Sequence, residues 1–124
     1  MANKYVPNEM QITFNQNGTL SGGNVHPRLD DNLLDRSLDE PWVAPGPRKF
    51  SKFAYSFVSA TDPSADYDVN VYKNGGIVET ISMVGSTPQD SFLIDIDVVE
   101  GDEIHLQTVQ IDADTIDDPF YELT

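Results

Sequence analysis

The sequence predicts an all-β fold, a small β-sandwich over residues 51–124 preceded by an extended N-terminal arm over residues 1–50. Three observations carry this. In the second segment apolar and polar residues alternate over short runs, the period of a strand with one buried face. Turn signals such as Asn74-Gly75 separate those runs at sandwich-like spacing. The first 50 residues, by contrast, are broken by Pro7, Pro27, Pro41, Pro45 and Pro47, which rules out long regular elements there.

In the arm, Met10, Ile12 and Phe14 alternate with polar neighbours and read as a short strand. Asn17-Gly18 and Ser21-Gly22-Gly23-Asn24 are loop signals. Proline holds His26 extended. A short helix is expected over 30–38: Asp30 or Asp31 caps it, Leu34 and Leu38 share a face, and Pro41 stops it. Trp42 to Pro47 then forms an irregular strap. The arm carries too many apolar side chains for a disordered tail and too many breaks for its own core. It either wraps the second segment or orders against another molecule.

The second segment gives six strands. Phe53, Tyr55 and Phe57 share one face. Tyr67, Val69 and Val71 follow after the turn Thr61–Asp66, and Asn74-Gly75 turns the chain into a return strand over 77–84. Phe92, Ile94, Ile96 and Val98 alternate with Leu93, Asp95 and Asp97. Past the turn Glu100-Gly101-Asp102, Ile104 and Leu106 point inward, and the apolar phase then switches to Val109 and Ile111. That switch predicts a bulge near Gln107 or Thr108. Asp112 to Asp118 is an acidic loop, and residues 120–123 form a last strand.

The chain has 124 residues, 7 basic and 21 acidic side chains and a formal net charge of −14, of which residues 51–124 hold −13. Such a surface repels phosphates, so no nucleic acid and no anionic membrane are expected as partners. No apolar run is long enough for a helical membrane span, and no basic stretch leads into an apolar one as in a secretory leader. With no cysteine, thiol chemistry and cysteine-based metal sites are excluded.

No catalysis and no cofactor are expected. Neither His26 nor His105 has a nucleophile and an orienting group beside it in a recognised motif. Asp95 and Asp97 share an exposed strand face, the ordinary way to solvate one. The loops Asp62–Asp68 and Asp112–Asp118 hold enough carboxylates to consider calcium, although the spacing is not that of an EF-hand. Arg48, Lys49 and Lys52 form a local basic cluster. They either dock a partner or neutralise the chain's own carboxylates.

The segments "VYKNGGIVETI" and "FLIDIDVVEGDEIHLQ", after a proline-broken arm, resemble small virion proteins of tailed bacteriophages, in particular capsid decoration or cement proteins. The stretch "VEGDEIHL" is similar to jelly-roll domains of the C1q and TNF type, with an Ig-like sandwich as the alternative. The resemblance implies a structural virion protein on the capsid surface, assembled in the host cytoplasm. It would be a homotrimer that binds the major capsid protein or another virion protein through its arm. Met10, Ile12, Phe14, Leu34, Leu38 and Trp42 are then the apolar anchors, with Arg28, Arg36, Arg48 and Lys49 as the polar ones. Two other readings stand beside it. One is a carbohydrate- or calcium-binding sandwich in which Tyr72, Tyr121 or Trp42 stacks on sugar rings. The other is a fibre, neck or tail adaptor domain.

Overall fold

The computed structural model describes residues 11–15, 19–20, 24–25, 28–29, 41–112 and 114–124. It is a β-sandwich with no helix among those residues. The strands in order are β1 (Ile12–Asn15), β2 (Thr19–Leu20), β3 (Asn24–Val25), β4 (Arg28–Leu29), β5 (Trp42–Val43), β6 (Arg48–Ser56) and β7 (Ser59–Ala60). They continue as β8 (Asp66–Lys73), β9 (Gly76–Val84), β10 (Gln89–Val98), β11 (Glu103–Gln110), β12 (Ile116–Asp117) and β13 (Phe120–Leu123).

One sheet runs β10-β6-β13-β1-β4, and the facing sheet runs β3-β11-β8-β9, with β5 also paired to β11. A small third sheet, β2-β12-β7, is hydrogen-bonded to neither, and its Ile116 packs into the same core. The long ladders are antiparallel, and alternate residues of each strand enter one core. Phe14, Phe50, Phe53 and Tyr121 come from the first sheet; Tyr67, Val69, Ile104 and Leu106 come from the second. Burying one such ring contributes about 2–3 kcal/mol before the chain entropy it opposes.

The strands expected in the second segment all form. Asn74 and Gly75 have φ of 54° and 86°, the left-handed pair a two-residue hairpin turn requires, and they join β8 to β9. Gly85 is required for space: a Cβ there would run into the Asp62 carbonyl and the methyls of Ala60 and Ala65. Its amide donates to the Ala65 carbonyl at 2.8 Å, closing the 61–65 turn onto the end of β9.

The bulge expected near Gln107 is absent. The pairing of β11 with β8 is continuous from Ile104 to Gln110. The inward position after Leu106 is Thr108, 1% exposed, and the exposed residue is Ile111. A polar side chain can hold an inward place because its hydroxyl finds a buried partner, the Tyr121 hydroxyl at 3.0 Å. Alternation of residue type broke where alternation of the backbone did not. The register irregularities fall instead between Val71 and Tyr72 and between Leu93 and Ile96.

The boundary expected at residue 50 falls inside β6. Of the first 50 residues, β1 lies between β13 and β4, β5 pairs with β11, and Phe50 is in the core. Within residues 1–50, β1, β3, β4 and β5 are therefore strands of the two facing sheets, while β2 pairs with β12 in the small third one. The expected helix over 30–38 lies outside the described residues.

Candidate functional site

The outer face of the β10-β6-β13-β1 sheet holds a groove of about 370 Å³. Strand phase builds it. Phe53 and Tyr55 point inward from β6, so Ala54 and Ser56 point out. Tyr121 and Leu123 point inward from β13, so Phe120 and Glu122 point out. Antiparallel register then aligns two rows across four strands. One row runs Ser91, Ala54, Glu122, Thr13; the next runs Gln89, Ser56, Phe120, Asn15.

The central residues of these rows, Ala54 and Ser56, are small, and this is why a groove exists. Gln89, Asp90 and Ser91 line one side and Phe120 and Glu122 the other, roughly 10 Å apart across two strand spacings. Asp90 accepts a hydrogen bond from the Ser91 amide at 2.8 Å. Beneath it Tyr55 donates to the Thr87 carbonyl at 2.9 Å, and burial, then the nearby charge of Asp90, pushes its phenol up from the ordinary range. The groove thus combines the Phe120 ring, the Gln89 amide, the Ser56 and Ser91 hydroxyls and the Glu122 carboxylate on one face, while Asp90, paired with inward Tyr55, is in the opposite strand phase. Such a lining suits hydrogen bonding and ring stacking.

The outer face of the β11-β8-β9 sheet is also polar but differs in kind. The Tyr72 and His105 rings stack with centroids 4.6 Å apart and planes at 10°. Gln107 Oε1 accepts from the Tyr72 hydroxyl at 2.8 Å and from Asn70 Nδ2 at 3.2 Å. Asn70 Oδ1 accepts from Thr80 at 2.8 Å, and Asp68 accepts from Ser82 at 3.0 Å. These side chains satisfy one another.

The predicted contact residues scatter. Ile12 and Phe14 are 4% and 0% exposed, packed between the sheets, and so are core residues, not anchors offered to a partner. Their strand is claimed by β13, whose edge they cover. Trp42 is half-buried, its ring edge-on to Phe50 at 5.5 Å. Arg48 is 7% exposed, with its guanidinium 4.2 Å above the Phe50 ring, and burial lowers its pKa. Lys49 is exposed and pairs with Asp95 at 2.6 Å and Asp97 at 3.2 Å, bonds that raise its pKa. For Lys49 the self-neutralising alternative holds. Arg28 lies in β4, opposite Asn15. Met10, Leu34, Arg36 and Leu38 lie outside the described residues.

Of the expected sugar-stacking rings, Tyr121 is fully buried and cannot serve. Burial pushes its phenol up strongly, partly offset by the bond to Thr108. Phe120, its neighbour in β13, holds the outward position instead. The signal was present: with Tyr121 and Leu123 in phase, Phe120 must face the other way. The expected calcium loops are occupied by their own turns. Asp62 accepts from the Ser64 amide at 2.8 Å and its hydroxyl at 2.7 Å, which lowers its pKa. Asp112 accepts from the Asp114 amide at 3.0 Å. Among the described residues, no three acidic or imidazole groups gather as a metal site.

The fold has recognisable relatives. The chain is similar to the CBM36-1 domain of a multidomain xylanase from the hindgut metagenome of Trinervitermes trinervoides, with a TM-score of 0.55 and 13% identity over 93% of this chain and 97% of that one. Looser likenesses are a family 35 carbohydrate binding module from Clostridium thermocellum (TM-score 0.44, 11% identity, 83% and 90% covered) and the Podospora anserina GH26-CBM35 β-(1,4)-mannanase (TM-score 0.47, 10% identity, 92% and 28% covered). No family model matches the sequence, and no curated protein matches it. At such identity the first likeness bears on the fold alone.

Proposed function

We propose that this chain is a non-catalytic carbohydrate-binding module that takes a glycan in the groove of the β10-β6-β13 face. The observation that carries the reading is the groove itself. A floor of Ala54 and Ser56 leaves room for a flat pyranose ring, Phe120 supplies an apolar face beside it, and Gln89, Ser91 and Glu122 supply hydrogen-bonding partners for ring hydroxyls. The sandwich fold, shared with a CBM36-1 domain, is compatible with this use. A capsid-bound decoration role draws less support, because two of its anchors, Ile12 and Phe14, are spent inside the core.

The test is affinity electrophoresis through gels containing xylan, mannan, β-glucan or chitosan, followed by calorimetry on the retarding polymer. Retardation by at least one polymer, lost in Phe120→Ala with an unchanged far-ultraviolet spectrum, is expected. If no polymer retards the protein, or Phe120→Ala is retarded as strongly as the wild type, the groove is not a glycan site.

A further inference from the structure

We propose that the chain pairs with a second copy of itself edge to edge, β9 against β9 in antiparallel order, as a two-fold dimer. The dimer is independent of the glycan reading of the groove. β9 ends the second sheet: among the described residues β8 pairs with one side of it and no strand with the other. Alternate amides and carbonyls therefore face away from β8 along the 9 residues Gly76–Val84. The other sheet edges are guarded. β3, β4 and β5 are each 2 residues long. β10 carries Asp90, Asp95 and Asp97 and is irregular between Leu93 and Ile96. β9 holds neither lysine nor proline, and its own irregularity, opposite Val71 and Tyr72, leaves Glu79 to Val84 in unbroken register.

Charge names the occupant. At a net charge of −14 two copies repel one another over most of their surface. Between Asn74 and Gln89, however, Glu79 is the only charged residue in the sequence. A second copy meets least repulsion along this edge, whereas a basic partner is drawn instead to the carboxylates of β10 and of the Asp112–Asp118 loop. Antiparallel pairing is also self-complementary, since the same strand supplies both surfaces. Inward residues must meet inward residues. Buried Ile81 and Met83 of the two copies then extend one apolar layer across the axis, and exposed Thr80, Ser82 and Val84 extend the outer one. Pairing consumes the edge, so assembly stops at two copies.

The experiment is sedimentation equilibrium of the full chain from about 10 μM to about 1 mM, in about 0.05 M and about 0.5 M salt, with amide exchange read at both ends of the concentration range. A monomer–dimer equilibrium is expected, with a dissociation constant that falls several-fold at high salt as the repulsion is screened. Amides within 79–84 should exchange more slowly in the concentrated protein, and those within 89–98 should not change. Ser82→Lys sets two cations beside each other near the axis and should weaken the dimer by about tenfold or more. Leu93→Lys, at a site 90% exposed on β10, adds the same charge to the other edge and should leave the dimer intact. A monomer under every condition, a trimer, or slowed exchange confined to β10 would overturn the proposal. So would a Ser82→Lys protein that dimerises as tightly as the wild type, or an equal loss in Leu93→Lys. Should Ser82→Lys fail to fold, the exchange pattern of the wild type decides.

Discussion

The outer faces of the two sheets carry similar residue types and differ in what those residues have left to give. On the β11-β8-β9 face Tyr72, His105, Gln107, Asn70 and Thr80 are joined by stacking and hydrogen bonds into one network. On the β10-β6-β13 face Ala54 and Ser56 are too small to reach across, so Gln89, Glu122 and Phe120 stand apart around a groove. Polar character alone does not mark a binding face. Room, and donors or acceptors not already consumed by neighbours, mark it.

Changes in each region should separate these roles. The largest effect is expected from Phe14→Ala. Emptying a fully buried ring site between the sheets should cost about 3–5 kcal/mol in denaturant unfolding. A loss below about 1 kcal/mol would mean that β1 is a detachable arm after all. Next, Ala54→Trp fills the groove from its floor. Glycan affinity should fall about a hundredfold, the equivalent of ~2.7 kcal/mol, with stability nearly unchanged because the side chain faces solvent.

The mirror experiment on the other face is Gln107→Ala. It removes the acceptor shared by Tyr72 and Asn70 and should cost about 1 kcal/mol of stability while glycan affinity stays at the wild-type value. If affinity falls instead, the network face is the binding face and the comparison is inverted.

The smallest effect concerns the turns that close the ends of both sheets. Asp102 accepts from Asn74 Nδ2 at 2.8 Å and from the Val99 amide at 2.9 Å, and Lys73 lies 3.9 Å away. These bonds, the Asn74 one first, hold its carboxyl below the usual carboxylate range. A depressed native value favours the folded state above the unfolded value of about 4 and is lost as pH falls through the native one. The melting temperature should therefore drop less steeply below about pH 4 in Asp102→Asn than in the wild type. Equal slopes would show that this carboxyl is not part of the acid response.

Much of the fold was legible from local pattern. The two-residue turn at Asn74-Gly75 needs φ > 0 at both positions, which few residues tolerate, so the hairpin could be placed from the dipeptide alone. The inward sets Phe53-Tyr55-Phe57 and Tyr67-Val69-Val71 followed from the two-residue period. Thr108 defeated the same reasoning because its hydroxyl is satisfied by Tyr121, a residue 13 positions away that no local pattern could place beside it. The site was less legible. Phase alone put Phe120 outside, but the groove exists only because Ala54 stands between Ser91 and Glu122.

By itself, then, the sequence determined which residues alternate, where the chain turns and how strongly negative the surface is, since steric rules and charge act over a few residues. Only the tertiary structure decided that Ile12 and Phe14 belong to the core. It alone decided that Lys49 is held by Asp95 and Asp97, and that one polar face is closed while the other is open. Those outcomes depend on register between strands distant in sequence, and register is set by packing the whole core at once.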